Sequence, residues 1–266
     1  MDKQLKFAFF LLLIFILFSL FGPLLTPHSP YDIHLELRNL PPCSQFWFGS
    51  DELGRDVFAR VSFGTRLSLF VALFAAFIDL FIGVLLGSLA AFLGGAMEEA
   101  MIRFFDILQA IPHLLVVILL TVIRGSGMET ILIAMGTTCW IHTARITRAQ
   151  LVQIKTLDYI RGARSIGASS PYIITHYMIP NAIGPILAAV TLTFPSAIFT
   201  EAFLSFLGLG VQAPEASLGI LVSDGLSAIR YYPWRLWIPS SVISLLLFSF
   251  HWIGNGLRDH LDPRIR

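Results

Sequence analysis

Three carboxylates, Asp79, Asp106 and Glu201, lie inside or beside long apolar runs. An ionised group at such a depth costs about 3 kcal/mol on insertion scales, so each needs a partner or water. Asp106, Gln109 and His113 follow one another at spacings of three and four, which puts them on one face of a continuous helix. Two uses fit that face: the polar lining of a translocation path, to which Glu201 also belongs as a candidate, or an interhelical hydrogen-bond cluster that only fixes packing. Asp79 falls in no recognisable motif. Asp79 and Asp106 as a proton-sharing pair would suit an intramembrane aspartyl protease. Neither stands in a G-x-G-D context, however, and G-x-S-x-G is missing too. Buried carboxylates also suit a proton-coupled secondary transporter, but such carriers usually show two similar halves, and the chain shows none.

Other chemistries lack their residues. A phosphate-binding loop needs a Gly-Lys pair, and the sequence contains none, so ATP binding by this chain alone is not expected. The seven histidines include no H-E-x-x-H spacing, and Cys43 and Cys139 are the only cysteines, one in a polar loop and one in an apolar segment. Neither a metal site nor a disulfide is expected. Gly208-Leu209-Gly210 follows no strand and is not a dinucleotide fingerprint.

The elements that position these groups are membrane helices. Of 266 residues, 56% are hydrophobic and 13% charged, about half the charged share of a soluble domain. A net charge of +1 leaves no basic surplus for nucleic acid. Apolar runs at 5–25, 66–92, 102–123, 130–146, 182–206 and 236–257 predict six spans and an all-α, polytopic membrane protein. The first run exits through Gly22-Pro23 with no small-x-small cleavage site and reads as an uncleaved helix. The third and fourth are weak in hydropathy, as expected of helices that face protein or water. Lys and Arg number eleven on the side of the termini, counting Arg264 and Arg266, against seven on the other, which places both termini in the cytoplasm. Gly83 and Gly87 form a small-xxx-small pair, Gly94 and Gly95 end the second span, and Pro112 and Pro195 mark places for breaks or hinges. The stretch from Gly208 to Trp234, with Asp224, Arg230, Tyr231 and Tyr232, is expected outside, where a soluble receptor could dock; its aromatics also suit an interfacial belt.

Residues 147–181 are too polar to span. Leu151, Ile154, Leu157 and Ile160 recur at helical spacing, opposite Lys155, Asp158, Arg161 and Arg164, and predict one amphipathic helix. Gly167 then allows a sharp turn, Ser169 or Ser170 with Pro171 reads as the start of a second short helix, and Pro180 as its end. Such a hairpin is either a docking element or an ordinary surface turn.

In this segment the chain resembles the membrane subunit of ATP-binding cassette importers, in the dipeptide, oligopeptide and nickel permease branch. The family's loop is similar to E-A-A-x-x-x-G-x(9)-I-x-L-P. Here Arg161 stands in place of the Glu, Gly162 and Ala163 in place of the alanines, Gly167 is the glycine, and Met178-Ile179-Pro180 closes the motif. Residues 49–69, GSDELGRDVFARVSFGTRLSL, resemble the segment before the second span of the branch's C-type permease. Residues 201–219, EAFLSFLGLGVQAPEASLG, and the closing GLRDHLDPRIR are similar to its later motifs, with Leu218 where Trp is usual.

The resemblance implies a type I ABC importer permease fold in a bacterial cytoplasmic (inner) membrane. The first helix would occupy 1–25, an extracytoplasmic loop 26–65 and a five-helix core 66–266 that includes the coupling loop 147–181. It implies import of short peptides, with nickel as the alternative cargo. It also implies a sister permease, two ABC ATPase subunits that carry ATP and Mg, and an extracytoplasmic substrate-binding protein; this chain would hold no cofactor of its own. Tyr159, Arg161, Gly162, Ala163, Arg164, Gly167, Ala168 and Pro180 become the residues expected to meet the ATPase.

Overall fold

A computed structural model describes residues 3–212 and 214–261. Asp262 to Arg266, including Arg264 and Arg266 of the charge count, lie outside the described residues, as do Met1 and Asp2.

The long apolar run near the N-terminus forms α1 (Lys3–Leu25). After a short 3-10 turn at Leu35–Leu37 the chain enters α2 (Val57–Leu93). That helix starts earlier than its apolar run, because Asp56 caps it by accepting the Phe58 N–H at 2.8 Å. Residues 57–65 of the expected outer loop are therefore helical. At 37 residues α2 is about 56 Å long, well beyond a bilayer core of about 30 Å. It stops at Gly94 and Gly95, whose φ angles of 64° and 54° favour glycine.

The third expected span divides into α3 (Gly95–Ala110) and α4 (His113–Arg124), which are bent by 72°. Pro112 lacks the N–H that would continue the ladder, and Ile111 before it is extended at φ −78°, ψ 118°. The fourth divides into α5 (Met128–Thr138) and α6 (Ile141–Lys155). Among the described residues four single helices, or five spans if the bent pair counts as one, are long and apolar enough to cross a membrane; the expected six are reached only if α5 and α6 together make a crossing.

The single amphipathic helix expected through Ile160 is broken. Its chain leaves α6 at Thr156 and re-enters a helix, α7 (Asp158–Ser165), after Leu157, which is extended at φ −74°, ψ 147°. Next come α8 (Ser170–Ile173), a π turn at Ile174–Met178 and α9 (Ile179–Phe206). Pro180 does not end the second hairpin helix, contrary to the sequence expectation. The π turn lets the Ile179 N–H reach the Ile174 carbonyl, and Pro180 follows at the start of α9, so helix continues from Ser170 to Phe206. Pro195 likewise sits buried within α9 and does not interrupt it. The chain closes with α10 (Leu218–Ala228) and α11 (Trp234–Leu261).

The core sits where α2 crosses α6 and α9. A Cβ on Gly83 would meet Thr143 Cβ at 3.0 Å, and one on Gly87 would collide with the Ala144 carbonyl oxygen and meet Thr147 Cβ at 2.8 Å. The small-xxx-small pair therefore brings two backbones together, as the sequence spacing suggested. Gly256 of α11 lies against Leu5 of α1, and Gly22 at the far end of α1 lies against Ser62 of α2.

Candidate functional site

The hairpin between α6 and α9 has a buried and an exposed side. Ile160, Ala163, Ile173 and Met178 pack with Leu151 and Ile154 of α6, Ala91 of α2 and Ala182 of α9 in one apolar cluster. Tyr159, Arg161, Gly162, Arg164 and Gly167 face outward, while Ala163 is buried and Ala168 half-buried. Ile166, at the tip, is 87% exposed, an apolar side chain with no neighbour to cover it. Pro180 is exposed on α9.

The turn after α7 has the hydrogen bonds of a Schellman motif. The Ala168 N–H reaches the Ala163 carbonyl at 3.1 Å and the Gly167 N–H the Arg164 carbonyl at 3.0 Å. Gly167 takes φ +85° to close it, and a Cβ there would meet nothing within 4 Å. The glycine is thus required by the backbone and leaves space above it free. Arg161 is 3.6 Å from Asp158, but both side chains are largely exposed and the pair contributes little. A positive side chain therefore stands on the outer side of this helix, where the resembling family usually has Glu.

The four candidate path residues do not come together, which corrects the shared face expected from their spacing. The 72° bend separates Asp106 and Gln109 on α3 from His113 at the start of α4. Asp106 accepts from Arg145 of α6 at 2.5 Å on an exposed face, and Gln109 is exposed near it on the same helix. His113 Nδ1 lies 3.1 Å from Thr138 Oγ1 of α5. Glu201 is fully buried between α2 and α9, accepting from Ser68 and Ser205, each at 2.9 Å. Asp79 is also fully buried, with one oxygen accepting from Thr193 of α9 and the other without a hydrogen-bond partner. Asp79 and Asp106 thus have separate partners on separate helices and form no proton-sharing pair.

A second polar set escaped the sequence reading. Asp51, 4% exposed, accepts the N–H groups of Leu53 and Arg55 at 2.9 Å each and the Arg55 Nε at 2.7 Å. Arg60 of α2, 1% exposed, brings its Nε to 3.5 Å from the same carboxylate. Arg235 at the start of α11 donates to Asn39 at 3.0 Å and lies 3.5 Å from Glu52. Asp224 on α10 has its carboxyl pushed up by burial, with the charges of Arg60 and Arg235 acting against that push. These groups clamp the segment before α2 to α10 and α11. The signal was present as G-S-D-E-L-G-R-D followed by Arg60, but sequence alone does not show that these charges are buried together.

Beyond Gly208, the expected outer loop is largely folded in. Leu218 and Leu221 of α10 are buried, and a Cβ on Gly219 would collide with the Ala202 carbonyl oxygen. Tyr231 and Trp237 remain exposed, at 72% and 65%, as an interfacial belt requires. Both cysteines are free, and among the described residues no three or more His, Cys, Asp or Glu are grouped to hold a metal ion.

Comparison with known proteins adds identity to geometry. A family model described as the binding-protein-dependent transport system inner membrane component matches residues 83–266, and one described as the N-terminal TM domain of oligopeptide transport permease C matches residues 5–42. The oligopeptide transport system permease protein OppC of Bacillus subtilis is 46% identical over 100% of this chain and 87% of its own length. The dipeptide transport system permease protein DppC of the same organism is 47% identical over 100% of this chain and 83% of its own. Among solved structures, a chain of the MetNI methionine ABC transporter in an inward-facing conformation superposes with a TM-score of 0.62 at 18% identity, covering 76% of this chain and 96% of that one.

Proposed function

We infer the working of this chain from one premise: it belongs to the family of binding-protein-dependent transport system inner membrane components, as a peptide permease subunit of an ABC importer. Its partners are a sister permease, two ATPase subunits that bind ATP and Mg, and an extracytoplasmic binding protein that delivers short peptides. The membrane is the bacterial inner membrane, with both termini and the α7–α8 hairpin in the cytoplasm.

The observation that carries the mechanism is the two-sided hairpin, fixed to α2, α6 and α9 by its apolar side and bare at Tyr159, Arg161, Arg164 and Ile166. A cleft on the ATPase covers that bare side. When the ATPases close on ATP they carry the hairpin with them, and because it is packed into the helix core, the bundle rocks between two arrangements. Asp106 and Gln109, exposed on α3, line the path between this chain and its sister.

Gly167→Trp tests the docking. A side chain here bears the strain of φ +85°, and the free space above Gly167 lets a large one point outward, where it would meet a docked ATPase. In proteoliposomes, peptide uptake falls about tenfold or more, the consequence of losing only about 1.4 kcal/mol of docking energy. Gly167→Asn, which tolerates the same backbone at small cost, keeps most of it. Uptake undiminished in Gly167→Trp would place the ATPase elsewhere. Asp106→Asn tests the path. The chain's unfolding shifts by less than about 1 kcal/mol, since the Arg145 pair is exposed, while peptide uptake at fixed ATPase activity declines. Unchanged uptake would reduce Asp106 to packing.

A further inference from the structure

Lys155, the last residue of α6, carries its ammonium to the end of α2. Its Nζ donates to the Ala91 carbonyl of α2 at 2.8 Å and lies 3.4 Å from that of Phe92. These are among the last carbonyls of α2, which have no N–H ahead of them in the helix because the chain turns off at Gly94. A cation here meets both the unpaired oxygens and the negative end of the helix dipole, and charge-assisted hydrogen bonds are roughly twice as strong as neutral ones. Three residues later the chain enters α7, where the exposed docking side begins. A small crevice lined by Phe92, Lys155, Arg164, Ser170, Ile173 and Met178 lies between the hairpin and the end of α2. Lys155 bridges from the base of the hairpin to the α2 backbone beside it.

We propose that Lys155 is a positioning residue for transport: its ammonium ties the ATPase-docking hairpin to the carbonyl end of α2, so that movement of the hairpin is passed to the helix that crosses the core. This rests on the docking reading above. The lysine stem serves the packing and its point charge the latch, and the two are separable. Lys155→Met keeps the stem and removes the donor; Lys155→Arg keeps the charge.

The experiment uses the assembled importer in proteoliposomes, with a peptide-loaded binding protein as the stimulus. In Lys155→Met the ATPase subunits co-purify as in the wild type and basal ATP hydrolysis is retained. The stimulation by loaded binding protein falls about fivefold or more, the range of a coupling free energy between sites. Lys155→Arg restores a large part of it. A cysteine placed at the exposed tip, Ile166→Cys, is cross-linked to the ATPase in the same preparations. Cross-linking in both wild type and Lys155→Met with equal stimulation overturns the latch and leaves docking standing. Loss of co-purification in Lys155→Met also overturns it, since the residue would then act in assembly. Failure to cross-link even with Lys155 present overturns the docking reading itself.

Discussion

Gly87→Leu yields little or no folded chain. A Cβ at this position already collides with the Ala144 carbonyl oxygen and lies 2.8 Å from Thr147 Cβ, and neither neighbour is the free end of a flexible side chain. Leucine adds three further carbons, so α2 and α6 must separate. That opens the polar side of the crossing, where Asp79, Thr143 and Thr147 are buried. Overpacking costs about 1–3 kcal/mol where side chains can adjust; here the nearest opposing atom is a backbone carbonyl oxygen, and the expected loss is at or above the top of that range. Detergent-solubilised protein measured by fluorescence size-exclusion should lose its monodisperse peak. Gly136→Leu is the comparison, because a Cβ there meets only the Ile78 side-chain tip at 3.5 Å. Equal recovery of the two variants would show that the crossing is looser than the close approach implies.

Asp51→Ala should destabilise the chain almost as much, for an electrostatic reason. The carboxylate is within 2.7 Å of Arg55 Nε and 3.5 Å of Arg60 Nε, and both guanidinium groups are buried. Removing it leaves two like charges facing each other without their shared counter-ion. Breaking a buried pair in this way costs about 3–5 kcal/mol. Two backbone N–H groups, of Leu53 and Arg55, lose their acceptor as well. Asp51→Asn keeps an oxygen for those N–H groups and should recover part of the loss, while Asp51→Glu tests whether the shorter reach is needed. The readout is the thermal unfolding midpoint in detergent, with Glu52→Ala as the control: that carboxylate is half exposed and its contact with Arg235 is 3.5 Å. If Asp51→Ala unfolds no earlier than Glu52→Ala, the clamp does not hold the outer segment.

Much of this chain could be read without coordinates because a bilayer leaves few choices. Apolar runs of twenty residues become helices whatever their neighbours, since no water is available to satisfy a bare backbone. α1, α2, α9 and α11 follow from that rule, and the Gly83 and Gly87 spacing already implied a close crossing. The hairpin residues were legible for a different reason. A glycine in the left-handed region and a proline in a first turn are local requirements of the backbone, visible one residue at a time.

What the sequence could not supply were the long-range partners and the continuity of helices across weak segments. Asp106, Gln109 and His113 share a face only on a straight helix, and one proline with its extended predecessor bends the chain by 72° between them. Pro180 reads as a helix end, yet a π turn absorbs it, because hydrogen bonding there is settled by the register of the preceding turn. Asp51, Arg55 and Arg235 look like loop charges until folding removes their water and pairs them across the outer ends of α2, α10 and α11. Lys155 shows the same limit: it belongs to the charged face of an amphipathic stretch by its sequence, and only packing α6 against α2 brings it to the carbonyls of Ala91 and Phe92. The local alphabet of this protein determined its helices, its membrane residence and its family; tertiary structure alone decided which polar groups of different helices meet, because such meetings join residues as much as 196 positions apart, as Asn39 and Arg235 are.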